Sequence, residues 1–265
     1  MKTEFPPLIG PNDPPPFEVL NREGTARLLL VCDHASRTIP RAMTDLRLDR
    51  THFDKHIAYD IGAADVTRLL SERLSAPAVL AGYSRLLVDC NRPPGDPSMM
   101  PEESDGIPIP ANIGLTEDEV FARMDAFFWP YHRAIATEIV RLRRRGVAPG
   151  VFAVHSFTPR MRSVERPWDI GVLWDRDPRL AQPLLAALRA VPGLTVGDNE
   201  PYTAGPDVAY SIDIHGAAAG HPYCAIEIRQ DLVATAEQTA RWADILAGVL
   251  EPILADDTIF RVEHF

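Results

Sequence analysis

Short, unbroken apolar runs that stop abruptly at chemistry-bearing residues constrain this chain most. "ARLLLVCD" runs into Asp33 and His34, "GVFAVHSF" carries His155 and Ser156, and "CAIEIRQD" carries Glu227, Arg229 and Asp231. Runs this short, bounded by polar residues, read as strands buried on both faces. Between them lie stretches with helical spacing: "AADVTRLLSERLSA", starting near Ala63, then "DPRLAQPLLAALRAV" and "ATAEQTARWADILAGVLEPIL". Strands alternating with helices predict a single-domain α/β fold, a mixed and mostly parallel sheet sandwiched by helices. Composition does not shift enough anywhere in residues 26–265 to mark a second domain, and the prolines between 6 and 16 make residues 1–25 an extended surface arm.

Local signals fill in the rest. "PAVLAGYSRLLVDCNR" reads as two strands separated by Gly82, the second over 86–88 and ending at Asp89, Asn91 and Arg92. Residues 92–114 are dense in Pro, Gly, Asp and Ser and form a long loop, a feature that in compact domains is functional or disordered. The segment 116–146 opens with a capping-box pair, Thr116 and Glu119, and closes with basic residues and Gly146. It reads as one long helix kinked at Pro130.

Bulk properties exclude several functions. The 265 residues carry a net charge of −10, which argues against a nucleic-acid partner. The one basic cluster, "RLRRRG" at 141–146, ends a helix, where cations favour the dipole. Cys32, Cys90 and Cys224 show no CxxC spacing and fit reduced thiols. With no window of 18 apolar residues and no signal-peptide pattern, the expectation is a cytoplasmic protein.

In open α/β sheets ligands gather beyond the carboxyl ends of strands. There stand His34 and His155, the natural pair of metal ligands, since catalytic zinc commonly takes three protein ligands and keeps one open position. For either histidine alone, a strand-end cap hydrogen-bonded to the backbone is the favoured reading. Two of them at equivalent strand ends beside carboxylates favour a metal. Glu227 is the candidate general base, because partial burial would bring a carboxyl toward neutrality. Arg85, Asn91 and Arg92 suit capture of a substrate carboxylate, with Asp89 orienting a guanidinium. His215, in a small-residue loop, and Arg229 are further substrate-binding candidates. His132 reads as packed, His52 and His56 as surface. Ser36 or Ser156 beside a histidine would suit a serine hydrolase, but neither lies in a G-x-S-x-G elbow.

Taken in order, "VCDHASRTIP", "YDIGAADV", "SRLLVDCNR", "HSF" and "IEIRQDL" resemble the N-formylglutamate amidohydrolase family over most of residues 27–232. That family resembles zinc carboxypeptidases and aspartoacylases in fold. The resemblance implies one catalytic zinc held by His34 and His155, Glu227 as the base, and Asn91 and Arg92 on the substrate carboxylate. Arg85 would polarise the scissile carbonyl or help bind substrate. One departure stands out: where the carboxypeptidase site has His-x-x-Glu, position 37 here is Arg. Asp60 is the expected replacement ligand. Asp33 is the less favoured ligand, because successive side chains in a strand point to opposite faces, and it reads instead as support for its neighbour His34. The expected activity is removal of a formyl or other small acyl group from an anionic N-acyl amino acid. The alternatives are a zinc carboxypeptidase or peptide amidase, or a non-catalytic carboxylate-binding protein.

Overall fold

The computed structural model describes residues 7–146, 148–205 and 208–265. Seven strands form one sheet: β1 (Phe17–Leu20), β2 (Leu28–Cys32), β3 (Ala78–Ala81), β4 (Gly150–Phe157), β5 (Ile170–Leu173), β6 (Val196–Asp198) and β7 (Tyr223–Arg229). Their spatial order is β1-β3-β2-β4-β7-β5-β6. The β3-β2, β2-β4, β4-β7 and β5-β6 pairs are parallel, while β1 and β3, and β7 and β5, run antiparallel. The sheet is therefore mixed and mostly parallel, as the apolar runs predict. The proline-rich arm contributes β1 as an edge strand, so part of it extends the sheet.

Alternation along the central strands feeds two cores. Leu28, Leu30, Phe152, Val154, Cys224 and Ile226 face helices α1 (Ala63–Leu74), α4 (Pro178–Arg189) and α6 (Ala236–Leu254). Leu29, Val31, Val151, Ala153, Tyr223 and Ala225 face the opposite layer. That layer holds α2 (Glu117–Arg123), α3 (Trp129–Arg143) and α5 (Tyr210–His215). Burial on both faces removes any need for polar residues within these strands, which is why they read as continuous apolar runs.

Two expectations change. The expected strand at 86–88 is absent: Leu86, Leu87 and Val88 are buried in turns. Ser84 donates to Ala58 O and accepts from Leu86 N, which folds the segment back on itself. The long helix exists, with its capping box at Thr116, but its irregularity is a π turn over Met124–Phe128. Trp129 N donates to Met124 O, and this wider turn relieves the clash that Pro130 would make with the preceding turn. Within the loop 92–114, Glu103–Ser104 and Ile107–Pro108 form a small hairpin. Of the basic cluster, Arg141 pairs with buried Glu138 and Arg145 with Glu23. Among the described residues no helix is long and apolar enough to cross a membrane.

Candidate active site

Strand parity decides which side chains meet. Glu227 is paired in register with His155 on the neighbouring parallel strand, both two residues beyond alanines that face the α3 layer. Asp33, two residues past Val31 on the next strand, follows the same parity. His34 lies beyond the end of β2, where the chain has left the pleat. Asp60 comes from the turn before α1, tied to this edge by Asp60 N donating to His34 O. Gly62 makes that turn possible: its φ is +78°, and a Cβ there would lie 2.2 Å from Val233 O.

These residues converge on Asp60. His155 Nδ1 lies 2.8 Å and His34 Nδ1 3.2 Å from Asp60 Oδ2. One ligand atom from each of His34, Asp60 and His155 falls within 4.8 Å of the others, and all three residues are buried. The far nitrogen of each ring is backed by a carboxylate. His34 Nε2 is 2.7 Å from Asp89 Oδ1, and His155 Nε2 faces Asp33 Oδ2 at 3.2 Å without hydrogen-bond alignment. Such backing fixes the ring and raises the basicity of the nitrogen that coordinates a metal. Arg85 also donates toward His34 Nδ1 at 3.2 Å, which matches the tautomer with its proton on Nε2 and a lone pair on Nδ1. Two imidazoles and one carboxylate form a donor set suited to zinc. The residues present fit that ion.

The charges are strongly interdependent. Burial opposes ionisation of Asp60, yet the two imidazoles hold its carboxyl far below the usual range. Burial likewise opposes Asp33, but His155, with Ser211 donating at 2.5 Å and Tyr131 at 2.8 Å, keeps it at about 2. Both histidines move up: His155 well above the usual value through Asp33 and Asp60, His34 through Asp89 and Asp60 against burial and Arg85. The cluster demands positive charge. Glu227 moves the other way, pushed up to about 7 by burial, and its Oε2 has no hydrogen-bond partner among the described residues.

A cleft of about 380 Å³ opens over this cluster, lined among others by Arg85, Asn91, Arg92, Tyr202 and Glu227. Arg85 is engaged, donating to Asp89 Oδ2 at 2.6 Å and standing 3.6 Å from Asp60 Oδ1. Arg92 has no carboxylate partner among the described residues and donates to Val208 O and Ser98 Oγ. Asn91 accepts from Ser211 N.

The structure thus brings His34, Asp60, His155, Glu227, Arg85, Asn91 and Arg92 together. His215 and Arg229 stand apart. His215 stacks on His132, with Nε2 3.0 Å from its Nδ1, because α5 packs on α3 away from the cleft. Arg229 turns outward to Asp169 and Asp231. Ser156 Oγ donates to Ile61 O and Ser36 Oγ to Thr38, so neither hydroxyl is hydrogen-bonded to a histidine. His56, read as surface, lines the cleft and faces Asp105 at 3.6 Å. Tyr202 also reached the cleft unannounced, from an irregular segment with no periodic signal. Asp33 supports His155 across the sheet rather than its chain neighbour.

Fold and cleft together define a class: an α/β protein with an imidazole–carboxylate centre, able to hold a metal, at the carboxyl edge of a mixed sheet. The profile of the N-formylglutamate amidohydrolase family matches residues 26–234. The chain belongs to that amidohydrolase family. A gene product of Agrobacterium tumefaciens with a known crystal structure is 37% identical, the match covering 94% of this chain and 98% of that one at a TM-score of 0.90. An N-formylglutamate amidohydrolase from Ralstonia eutropha is 21% identical over 90% of this chain and 97% of its own, with a TM-score of 0.67, and shares the fold. No curated protein matches the sequence significantly.

Proposed function

We propose that this protein hydrolyses the amide bond of an N-formyl amino acid such as N-formyl-L-glutamate, using one zinc ion held by His34, Asp60 and His155. The observation that carries the metal is the convergence of three ligand atoms within 4.8 Å, with each imidazole backed by a second carboxylate. When bound, zinc supplies Lewis-acid polarisation of the amide carbonyl and of the attacking water.

The chain's own residues do the rest. Glu227, near neutrality and free of competing hydrogen bonds at Oε2, takes a proton from the attacking water. The same carboxyl then passes that proton to the leaving nitrogen, giving formate and the free amino acid. Arg92, with no carboxylate partner among the described residues, receives the substrate carboxylate, and Asn91 supports it from the same turn. Arg85 presents positive charge beside the scissile group while Asp89 holds it in place. A small anionic N-acyl amino acid met in the cytoplasm is the substrate this arrangement suits.

Formate release from N-formylglutamate, measured with and without chelator, tests the reading alongside elemental analysis. One zinc per chain is expected, with activity lost on chelation and in His155→Ala. Activity indifferent to both would overturn the zinc centre. An inert, metal-free protein that still binds the substrate would favour a binding module.

A further inference from the structure

Behind the cleft wall lies a buried cation without an anion. Arg166 is 9% exposed, and its guanidinium donates to Tyr202 Oη at 3.0 Å, Thr158 Oγ1 at 3.3 Å and Met161 Sδ at 2.8 Å. It sits 4.9 Å over the Tyr202 ring and 5.9 Å over that of Phe157. Among the described residues no carboxylate pairs with it. Burying an unpaired charge is costly, so an arginine kept there without an acid points to a use for its field.

Tyr202 is what the guanidinium touches. The phenol lines the cleft, and its oxygen accepts from Arg166 while no protein acceptor among the described residues takes its proton. With its oxygen engaged by Arg166 and its proton unclaimed, the O–H is free to turn to an acceptor in the cleft that Tyr202 lines together with Glu227 and Arg85. A cation donating to a hydroxyl oxygen polarises the O–H bond and strengthens it as a donor. The phenol keeps its proton at neutral pH, since burial and the nearby Glu227 carboxylate raise it more than Arg166 lowers it.

We infer that Tyr202 is a catalytic residue whose hydroxyl donates a hydrogen bond to the acyl oxygen of the substrate as the amide carbon becomes tetrahedral, and that Arg166 is the positioning residue that aims it. No proton changes hands in this contact. The phenol O–H stays intact, and its stabilisation grows as charge moves onto the acyl oxygen. The assignment rests on the amide hydrolysis proposed above.

The test compares kcat and KM for N-formylglutamate in zinc-loaded wild type, Tyr202→Phe, Arg166→Met and the double variant, with zinc content measured in each. Loss of one such donor lowers kcat about 10²- to 10³-fold, here with KM changed less than about twofold and zinc retained. Arg166→Met is expected to lower kcat as well, yet to add little in the Tyr202→Phe background. Arg166→Lys, which keeps the charge, serves the same comparison should the Met variant fail to fold. A Tyr202→Phe enzyme with full kcat, a change confined to KM, or full additivity of the two substitutions each overturns the assignment while leaving the hydrolase reading intact. A zinc-loaded wild type inert toward N-acyl amino acids overturns the hydrolase reading and this assignment with it.

Discussion

Replacing Glu227 by Gln removes a proton acceptor and a buried ionisable group in one step, and the two losses have opposite signs. Activity falls, by about 10²- to 10⁴-fold for a general base. Stability responds through the carboxyl's displacement from 4.5 to about 7 on folding. Because the folded value is raised, the contribution is fully present below pH 4.5 and is lost as pH rises through about 7. At 1.36 kcal/mol per unit, the wild type sheds about 3 kcal/mol over that window. The Gln variant, with nothing to ionise, does not. The amide carries its own penalty, about 1–3 kcal/mol for a buried group without a partner, but that penalty is independent of pH. The informative quantity is therefore the change in the stability difference between the two proteins. Urea unfolding of metal-free wild type and variant at about pH 4.5 and about pH 8 measures it. The expected result is a gap that moves in the variant's favour by about 3 kcal/mol on going to the higher pH. Parallel pH profiles for the two proteins would refute burial as the cause of Glu227's displacement.

The outer carboxylates yield a second expectation: Asp33→Asn and Asp89→Asn each weaken zinc binding about 10- to 100-fold with the fold retained, measured by competition with a chromophoric chelator. Zinc affinity should fall on acidification, because protons held by His34 and His155 compete with the ion; titrations at several pH values would show it, and a flat profile would argue against imidazole ligands. Arg92→Ala is expected to raise KM for N-formylglutamate with little change in kcat, since its contact with the substrate carboxylate persists unchanged through the reaction. Gly171→Ala should destabilise the fold by about 4 kcal/mol or more in thermal or urea melts, because its Cβ would come 1.7 Å from Glu200 O.

Much of this architecture is legible in the residues because the central strands are buried on both faces. Leu28–Cys32, Gly150–Phe157 and Tyr223–Arg229 carry no polar residue until they reach the edge where chemistry happens. The same signal misleads at Leu86–Val88, since a turn held inside the core by Ser84 must be as apolar as a strand. In the His34–Asp60–His155 group, which could hold a metal, the two histidines are legible as residue types at strand ends and Asp60 as a carboxylate just ahead of a helix. What stays hidden is lateral. That Asp33 serves His155 rather than His34 follows from the sheet order, which places β2 beside β4, and no local pattern encodes that order. Tyr131, Ser211 and Tyr202 reach the site from a helix flank, a short helix and a loop, each separated from its partners by dozens of residues. His215 misleads for the opposite reason: small neighbours give it an open look in sequence, whereas packing on His132 fixes it elsewhere.

The π turn at Met124–Phe128 sets a phase. Each residue of a regular α-helix advances the azimuth by 100°, and a π turn holds one residue more than the α turn it replaces. Everything downstream is therefore rotated against the register that α2 would otherwise dictate. It is this offset that delivers Tyr131 to Asp33 and His132 to the carbonyl of Cys90 while Phe127 and Phe128 remain in the core above them. Deleting a single residue within 124–128 would restore the α register and carry the Tyr131 hydroxyl off Asp33, removing a hydrogen bond from the carboxylate that faces His155. One extra residue in the turn of a core-facing helix thus sets, a turn further on, which hydroxyl reaches Asp33.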